Sequence, residues 1–130
     1  MKTILVTGSS RGIGKAVATL AHSKGYTVIV HGKTDSSALN EVHKSLSGSI
    51  KTVFDIADEQ ATHSVIAEVH AQVGTIDVLV NNARVARNFL KGISDIDDDK
   101  AIEEYRTNVL GTLHSGGLAK NDRARIGQRY

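Results

Sequence analysis

The first fourteen residues, Met1-Lys-Thr-Ile-Leu-Val-Thr-Gly-Ser-Ser-Arg-Gly-Ile-Gly14, constrain the fold more than any other stretch. Ile4, Leu5 and Val6 form a short apolar run with β-branched character, as a buried strand requires. Gly8, Gly12 and Gly14 punctuate the loop that follows, and a long stretch with helical spacing begins there. A buried strand feeding a glycine-rich turn into a helix N-terminus is a recurrent way to hold a phosphate. Such a turn exposes backbone N–H groups, and the helix dipole favours negative charge at that end. Glycines leave room for an anion to reach the main chain.

The same alternation continues. A strand over about 3–7 precedes a helix over about 12–24, with Ile13, Ala16, Val17, Leu20 and Ala21 on one face. Gly25 is placed to end it. A second strand covers 26–30. Asp35 or Ser36 caps a helix to about Leu46, with Leu39, Val42 and Leu46 inward, and Gly48 closes it. A third strand spans about 50–54. Asp58 is placed to cap a third helix carrying Ala61, Val65, Ile66 and Val69, ending near Gly74. The fourth strand, Ile76-Asp-Val-Leu-Val80, is almost continuously apolar, as for a strand covered on both faces. A loop of about fifteen residues leads to helix from about Ser94 or Asp97 to Leu113.

Four β-α units with short connections predict an α/β, doubly wound parallel sheet with helices on both faces. The expected strand order is 3-2-1-4, with room for part of a fifth strand near 119–126, and a crevice between the first and fourth strands. Residues 1–130 read as one domain. From 114 to 130 the pattern decays into a polar, basic tail; His114-Ser-Gly-Gly117 is a poor helix continuation.

Composition narrows the function classes. The formal net charge is only +2, so no global field draws the chain to nucleic acid or an anionic membrane. Lys120, Arg123, Arg125 and Arg129 cluster in the tail, but a terminal charge run is ordinarily solvated. There are no cysteines, hence no disulfides or thiolate metal sites, and the six histidines have no metal-like spacing. No apolar run approaches the roughly 20 residues that span a bilayer. The expectation is a cytoplasmic protein without membrane or metal.

Four motifs follow one another at set places. They are Thr7-Gly8-x-x-x-Gly12-Ile13-Gly14 and Asp55 after the third strand, then Asn81-Asn82-Ala83-Arg84 after the fourth, and Asn108 in Tyr105-Arg-Thr-Asn-Val-Leu-Gly111. Together they resemble the short-chain dehydrogenase/reductase family. The resemblance runs to about residue 113. The glycine spacing is that family's and not the G-x-G-x-x-G of other dinucleotide folds.

The resemblance implies a nicotinamide dinucleotide site. Gly8, Ser10, Arg11, Gly12, Ile13 and Gly14 would cradle the pyrophosphate. Asp55 would bond the adenine amino group with the Ile56 backbone assisting, unless it is simply a turn residue. The Asn82-Ala83 backbone would approach the nicotinamide ribose, with Asn81 steadying the sheet. Asn108 matches the asparagine of the catalytic tetrad that holds a water in the proton relay; otherwise it is a polar residue on a helix face. Arg84 stands where the family has glycine, so it would crowd the site or shift the loop, or else point at a phosphate. The segment Val85-Ala-Arg-Asn-Phe-Leu90, with a basic residue at Arg87, resembles the 3-oxoacyl-[acyl-carrier-protein] reductase branch.

The end of the second strand bears on cofactor choice. Val30-His31-Gly32-Lys33 has no acid until Asp35. A missing carboxylate removes repulsion toward a 2′-phosphate, and Lys33, with Arg11 nearby, supplies positive charge, which favours NADP(H) over NAD(H). Alternatively, both are ordinary exposed cations.

The family's chemistry uses a serine after a fifth strand and a Tyr-x-x-x-Lys pair, with tyrosine as general acid/base. Tyr26 is followed four residues on by Val30 and Tyr105 by Val109, and Tyr130 is the last residue, so the pair is absent. The expectation is either a truncated or frameshifted reductase or a short binding module or partner subunit without chemistry. Turnover is expected to be weak or absent on a small carbonyl substrate whose identity the residues do not give. Homo-oligomers are expected from an open sheet edge.

Overall fold

The structure, a computed structural model, describes residues 1–85 and 97–118. The helix start at Ser94, Arg87 and its neighbours, and the tail beyond 118, including any fifth strand, lie outside the described residues.

Strand β1 (Thr3–Val6) leads into α1 (Gly12–Ser23), then β2 (Thr27–Gly32), α2 (Ser37–Ser45), β3 (Ile50–Val53), α3 (Glu59–Val73) and β4 (Val78–Val80). Helix α4 (Asp98–Tyr105), a π-helical turn (Arg106–Leu110) and α5 (Gly111–Leu118) run on without a break. The four strands form one parallel sheet in the order β3-β2-β1-β4. Val6 pairs with Val30 on one side and Val80 on the other, so β1 and β4 finish together and β2 runs two residues further to Gly32. That common end is where the glycine loop emerges.

Side-chain alternation along the strands fills two cores. Ile4, Val6, Val28 and Val30 pack with Ala18 and Ala21 of α1 and with Leu39 and Val42 of α2. Leu5 and Ile29 point to the opposite face, against Ile66 and Val69 of α3 and against Ile76. Each fully buried Leu, Ile or Val contributes about 1.5–3 kcal/mol. The doubly wound architecture and its strand order are those expected from the pattern.

Three helix starts are closed by side chains. Ser36 Oγ accepts from the Leu39 amide at 3.1 Å, Asp58 Oδ1 from Ala61 at 3.0 Å, and Asp97 Oδ1 from Asp99 at 3.0 Å. Asp35 is therefore not the α2 cap. Lys51 and Asn40 bind it instead, and the Lys51 hydrogen bond holds its carboxyl below the usual carboxylate range.

Other expectations are corrected. The buried side of α1 is Gly14, Ala18 and Ala21, with Val17 half-buried. Ile13 and Leu20 are 75% and 60% exposed, and Ala16 is exposed as well. The cause is close approach: a Cβ at Gly14 would collide with the Gly8 carbonyl, so this helix seats small residues inward. Strand β4 is the edge strand among the described residues, and Val78, Leu79 and Val80 are only half-buried. Residues 114–118 continue α5, because Gly111 lets the helix sit directly on Ile56 and Ser115 is buried there, its hydroxyl donating to the Gly111 carbonyl at 2.9 Å. That packing overrides the low helix propensity of Gly116 and Gly117.

Candidate functional site

The N-terminus of α1 differs from the other three. Arg11 occupies the cap position in extended conformation, and its side chain makes no capping hydrogen bond. The first turn carries no acid. The first intrahelical bond of the turn runs from the Lys15 amide to the Arg11 carbonyl at 3.2 Å. The amides of Gly12, Ile13 and Gly14 precede it and have no partner within the helix. Above Gly12, the space a Cβ would enter is open. This is the geometry of an anion cradle: free N–H groups, a positive helix end and no side chain in the way. Arg11 and Ile13 are exposed beside it, and Ser10 is half-buried.

The cradle is tied to the end of β4. Thr7 Oγ1 donates to the Val80 carbonyl at 3.2 Å and accepts from the Asn82 and Ala83 amides, each at 3.0 Å. Asn82 Nδ2 donates to the Thr7 and Gly8 carbonyls at 3.1 and 3.0 Å. Gly8, at φ 64°, lies on Ala83 so closely that a Cβ would stand 2.8 Å from the Ala83 Cα. The stitching role expected of Asn81 falls to Asn82, whose side chain faces β1, while Asn81 is exposed. Ala83 underlies the loop. Arg84 is exposed and does not enter the space between Gly8 and Ala83, so it does not crowd that contact.

A second tie comes from β2. Ser9 is buried, and its amide donates to the His31 carbonyl at 2.9 Å while its hydroxyl accepts from the His31 amide at 2.8 Å. The His31 ring lies between Gly8 and the end of β3. Its Nδ1 accepts from the Gly8 amide at 3.0 Å, and its Nε2 bonds the Phe54 carbonyl at 2.8 Å. Burial pushes its pKa below the ordinary 6.5, against opposing pulls from the Phe54 carbonyl and the Asp55 charge. Sequence named Thr7 only as part of the glycine motif and His31 only as a position without an acid, and gave neither these nor Ser9 a role in the site. The available signal was a hydroxyl on each side of Gly8 and a histidine inside an otherwise apolar strand.

Asp55 Oδ1 accepts from the Ala57 amide at 3.0 Å, the pattern of a turn residue. Its other oxygen faces Lys33 Nζ at 3.6 Å, with both side chains well exposed. Lys33 and Asp55 thus stand together at the ends of β2 and β3, beside the cradle. Ile56 is buried under Gly111, and its carbonyl accepts from His114 at 3.0 Å.

Asn108 lies in the π-helical turn. Its Oδ1 accepts from the Val85 amide and its Nδ2 donates to the Val85 carbonyl, both at 2.8 Å. Both polar atoms of the side chain are engaged by the main chain just after Ala83. The Asn108 carbonyl accepts from Thr112 Oγ1 at 3.0 Å. The glycine loop, Asn82, Ala83, Lys33 and Asp55 thus meet at one end of the sheet. Asn108 joins them through Val85. Among the described residues, no cluster of acids and histidines is placed to hold a metal, and no helix is long and apolar enough to cross a membrane.

Known proteins resemble this chain in sequence and in fold. A model of the short chain dehydrogenase family matches residues 2–120. A 3-oxoacyl-[acyl-carrier-protein] reductase of Staphylococcus aureus is 36% identical over 118 residues, which is 87% of this chain and 47% of that protein. An uncharacterised short-chain type dehydrogenase/reductase of Sinorhizobium fredii is 34% identical, over 94% of this chain and 55% of its own length. The chain spans about half the length of the curated relatives it matches. The crystal structure of YwfH, an NADPH-dependent reductase involved in bacilysin biosynthesis, superposes with a TM-score of 0.78 at 18% identity, over 91% of this chain and 51% of that one. The chain belongs to the short-chain dehydrogenase/reductase family.

Proposed function

We propose that this chain binds NADP(H) in the manner of a 3-oxoacyl thioester reductase or a related carbonyl reductase. The observation that carries the reading is the uncapped start of α1, held against the Asn82-Ala83 turn. In this reading Gly8, Ser10, Arg11, Gly12, Ile13 and Gly14 receive the pyrophosphate. Lys33 and Arg11 meet the 2′-phosphate. Asp55 and the Ile56 backbone receive the adenine, and Asn82 and Ala83 border the nicotinamide ribose. When bound, the nicotinamide supplies hydride to a carbonyl or takes it from an alcohol. Asn108 fixes the loop at Val85 and holds a water of the proton relay. The half-exposed edge of β4 supports a homo-oligomer.

A second reading is a binding module or partner subunit without turnover. No Tyr-x-x-x-Lys pair occurs in these 130 residues, about half the length of the curated relatives. These residues alone are therefore expected to bind NADPH and not to oxidise it with a 3-oxoacyl thioester.

Calorimetric titration of the folded chain with NADPH and NADH tests the reading. NADPH is expected to bind at least about tenfold more tightly, the worth of one charge-assisted contact. Tighter binding of NADH, or no heat from either, contradicts it.

A further inference from the structure

We propose that His31 is a positioning residue that holds the glycine loop in its anion-binding shape, and that it releases the loop when the imidazole gains a proton. This rests on the reading of that loop as the dinucleotide cradle. The ring bridges two backbone groups on different strand ends, the Gly8 amide and the Phe54 carbonyl.

Only one form of the ring satisfies both contacts. The Gly8 N–H is a donor and needs a bare Nδ1, while the Phe54 carbonyl is an acceptor and needs an N–H at Nε2. The neutral Nε2–H tautomer meets both. A proton on Nδ1 would set two N–H groups against each other at 3.0 Å in a nearly water-free site, since His31 is 2% exposed. Gly8 would then lose the contact that fixes its amide, while Asn82 still held its carbonyl. The loop cannot keep both ties and its shape.

The surroundings leave the switch to this one ring. By alternation with Ile29, His31 faces the α3 side of the sheet, where the buried α3 residues are Thr62, Ile66 and Val69, none of them ionisable. From β3, Asp55 favours the charged ring, and Lys33 at the end of β2 partly neutralises Asp55. From α5, His114 bonds the Ile56 carbonyl two residues beyond Phe54. The β1 side presents Thr7, Gly8 and Ser9, which carry no charge. Burial is the larger influence and keeps the ring neutral near neutral pH. The nucleotide should therefore bind fully above the ordinary histidine range and weaken as pH falls below it.

The test uses the whole isotope-labelled chain between about pH 5 and 8. Long-range proton–nitrogen NMR of the wild type reads the tautomer directly. The expected result is a bare Nδ1 and a protonated Nε2 at the upper end, with the Gly8 amide shift moving as His31 titrates. NADPH affinity should fall by about tenfold or more over the same titration. In His31→Asn, the Oδ1 takes the Gly8 amide and does not titrate, so affinity should fall less than in the wild type, by no more than protonation of the 2′-phosphate itself accounts for. A proton on Nδ1 at the upper end, a Gly8 amide indifferent to the titration, or the same pH profile in wild type and variant would overturn the proposal. If the folded chain binds no nucleotide at any pH, the functional reading fails, and the tautomer and Gly8 shifts still decide the role of His31.

Discussion

Gly8 is held from three sides, by His31 at its amide, Asn82 at its carbonyl and Ala83 beneath its Cα. Gly14 is tighter still: a Cβ there would strike the Gly8 carbonyl and the side-chain Nδ2 of Asn82. Gly12 differs, having positive φ and open space around it. Gly12→Ala is therefore expected to cost about 1–2 kcal/mol, the left-handed penalty alone. Gly14→Ala should cost more, about 3 kcal/mol, and displace the loop. Paired urea denaturations compare the two, and an equal or reversed order would show that loop packing is not the constraint. Lys33→Glu replaces a cation by an acid beside the cradle and should reverse the preference toward NADH in calorimetry. His31 adds a pH term. Its folded pKa lies below the unfolded 6.5, so its contribution to stability is complete above that pH and is lost as pH falls toward the folded value. Denaturation midpoints should fall in that window, and less so in His31→Asn. The stitching asparagine was expected at Asn81 and is Asn82, but the glycines and Lys33 were legible in the sequence because backbone freedom and charge are properties of residue type. Thr7, Ser9 and His31 were not, since their roles come from strand ends that only the fold brings side by side.

Among the elements, the strands read correctly from β-branched runs, and three helix starts from their Ser or Asp caps. Helix α1 did not. Its sequence offers two apolar faces, and periodicity favoured the bulkier one with Ile13 and Leu20. Distance between backbones decided for the smaller one, which no single-chain period reveals. The same applies to α5, where Gly111 allows contact with Ile56. Capping energies are testable here. Asp58→Ala removes the acceptor for the Ala61 amide and should destabilise the fold by about 1 kcal/mol. Asn108→Ala breaks both bonds to Val85 in the π-helical turn. The Val85 amide should then exchange its hydrogen much faster, while amides in β1 and β2 stay protected. Unchanged protection at Val85 would remove Asn108 from the account of the site.

For the whole molecule, the strand order followed from chain order and right-handed crossovers, so topology was the most legible feature. What covers the surface was less so. Ile102, Tyr105, Val109 and Leu113 recur at helical spacing along α4, the π-helical turn and α5, and all are exposed. Together with the half-buried β4 edge they give the chain apolar surface that a monomer rarely leaves open. Light scattering across a concentration series should show a multiple of the chain mass. Leu113→Asp should shift it toward the monomer, and a wild type that stays monomeric throughout would refute self-association. The central claim is that the free amides at the start of α1 hold the dinucleotide's phosphates. Backbone-amide NMR during NADPH titration tests it most directly. The expected result is saturable shifts concentrated at Gly8, Gly12, Ile13 and Gly14, with weaker ones at Lys33 and Asp55. A folded chain whose 8–14 amides stay unmoved by saturating NADPH, or whose shifts gather elsewhere, would contradict it.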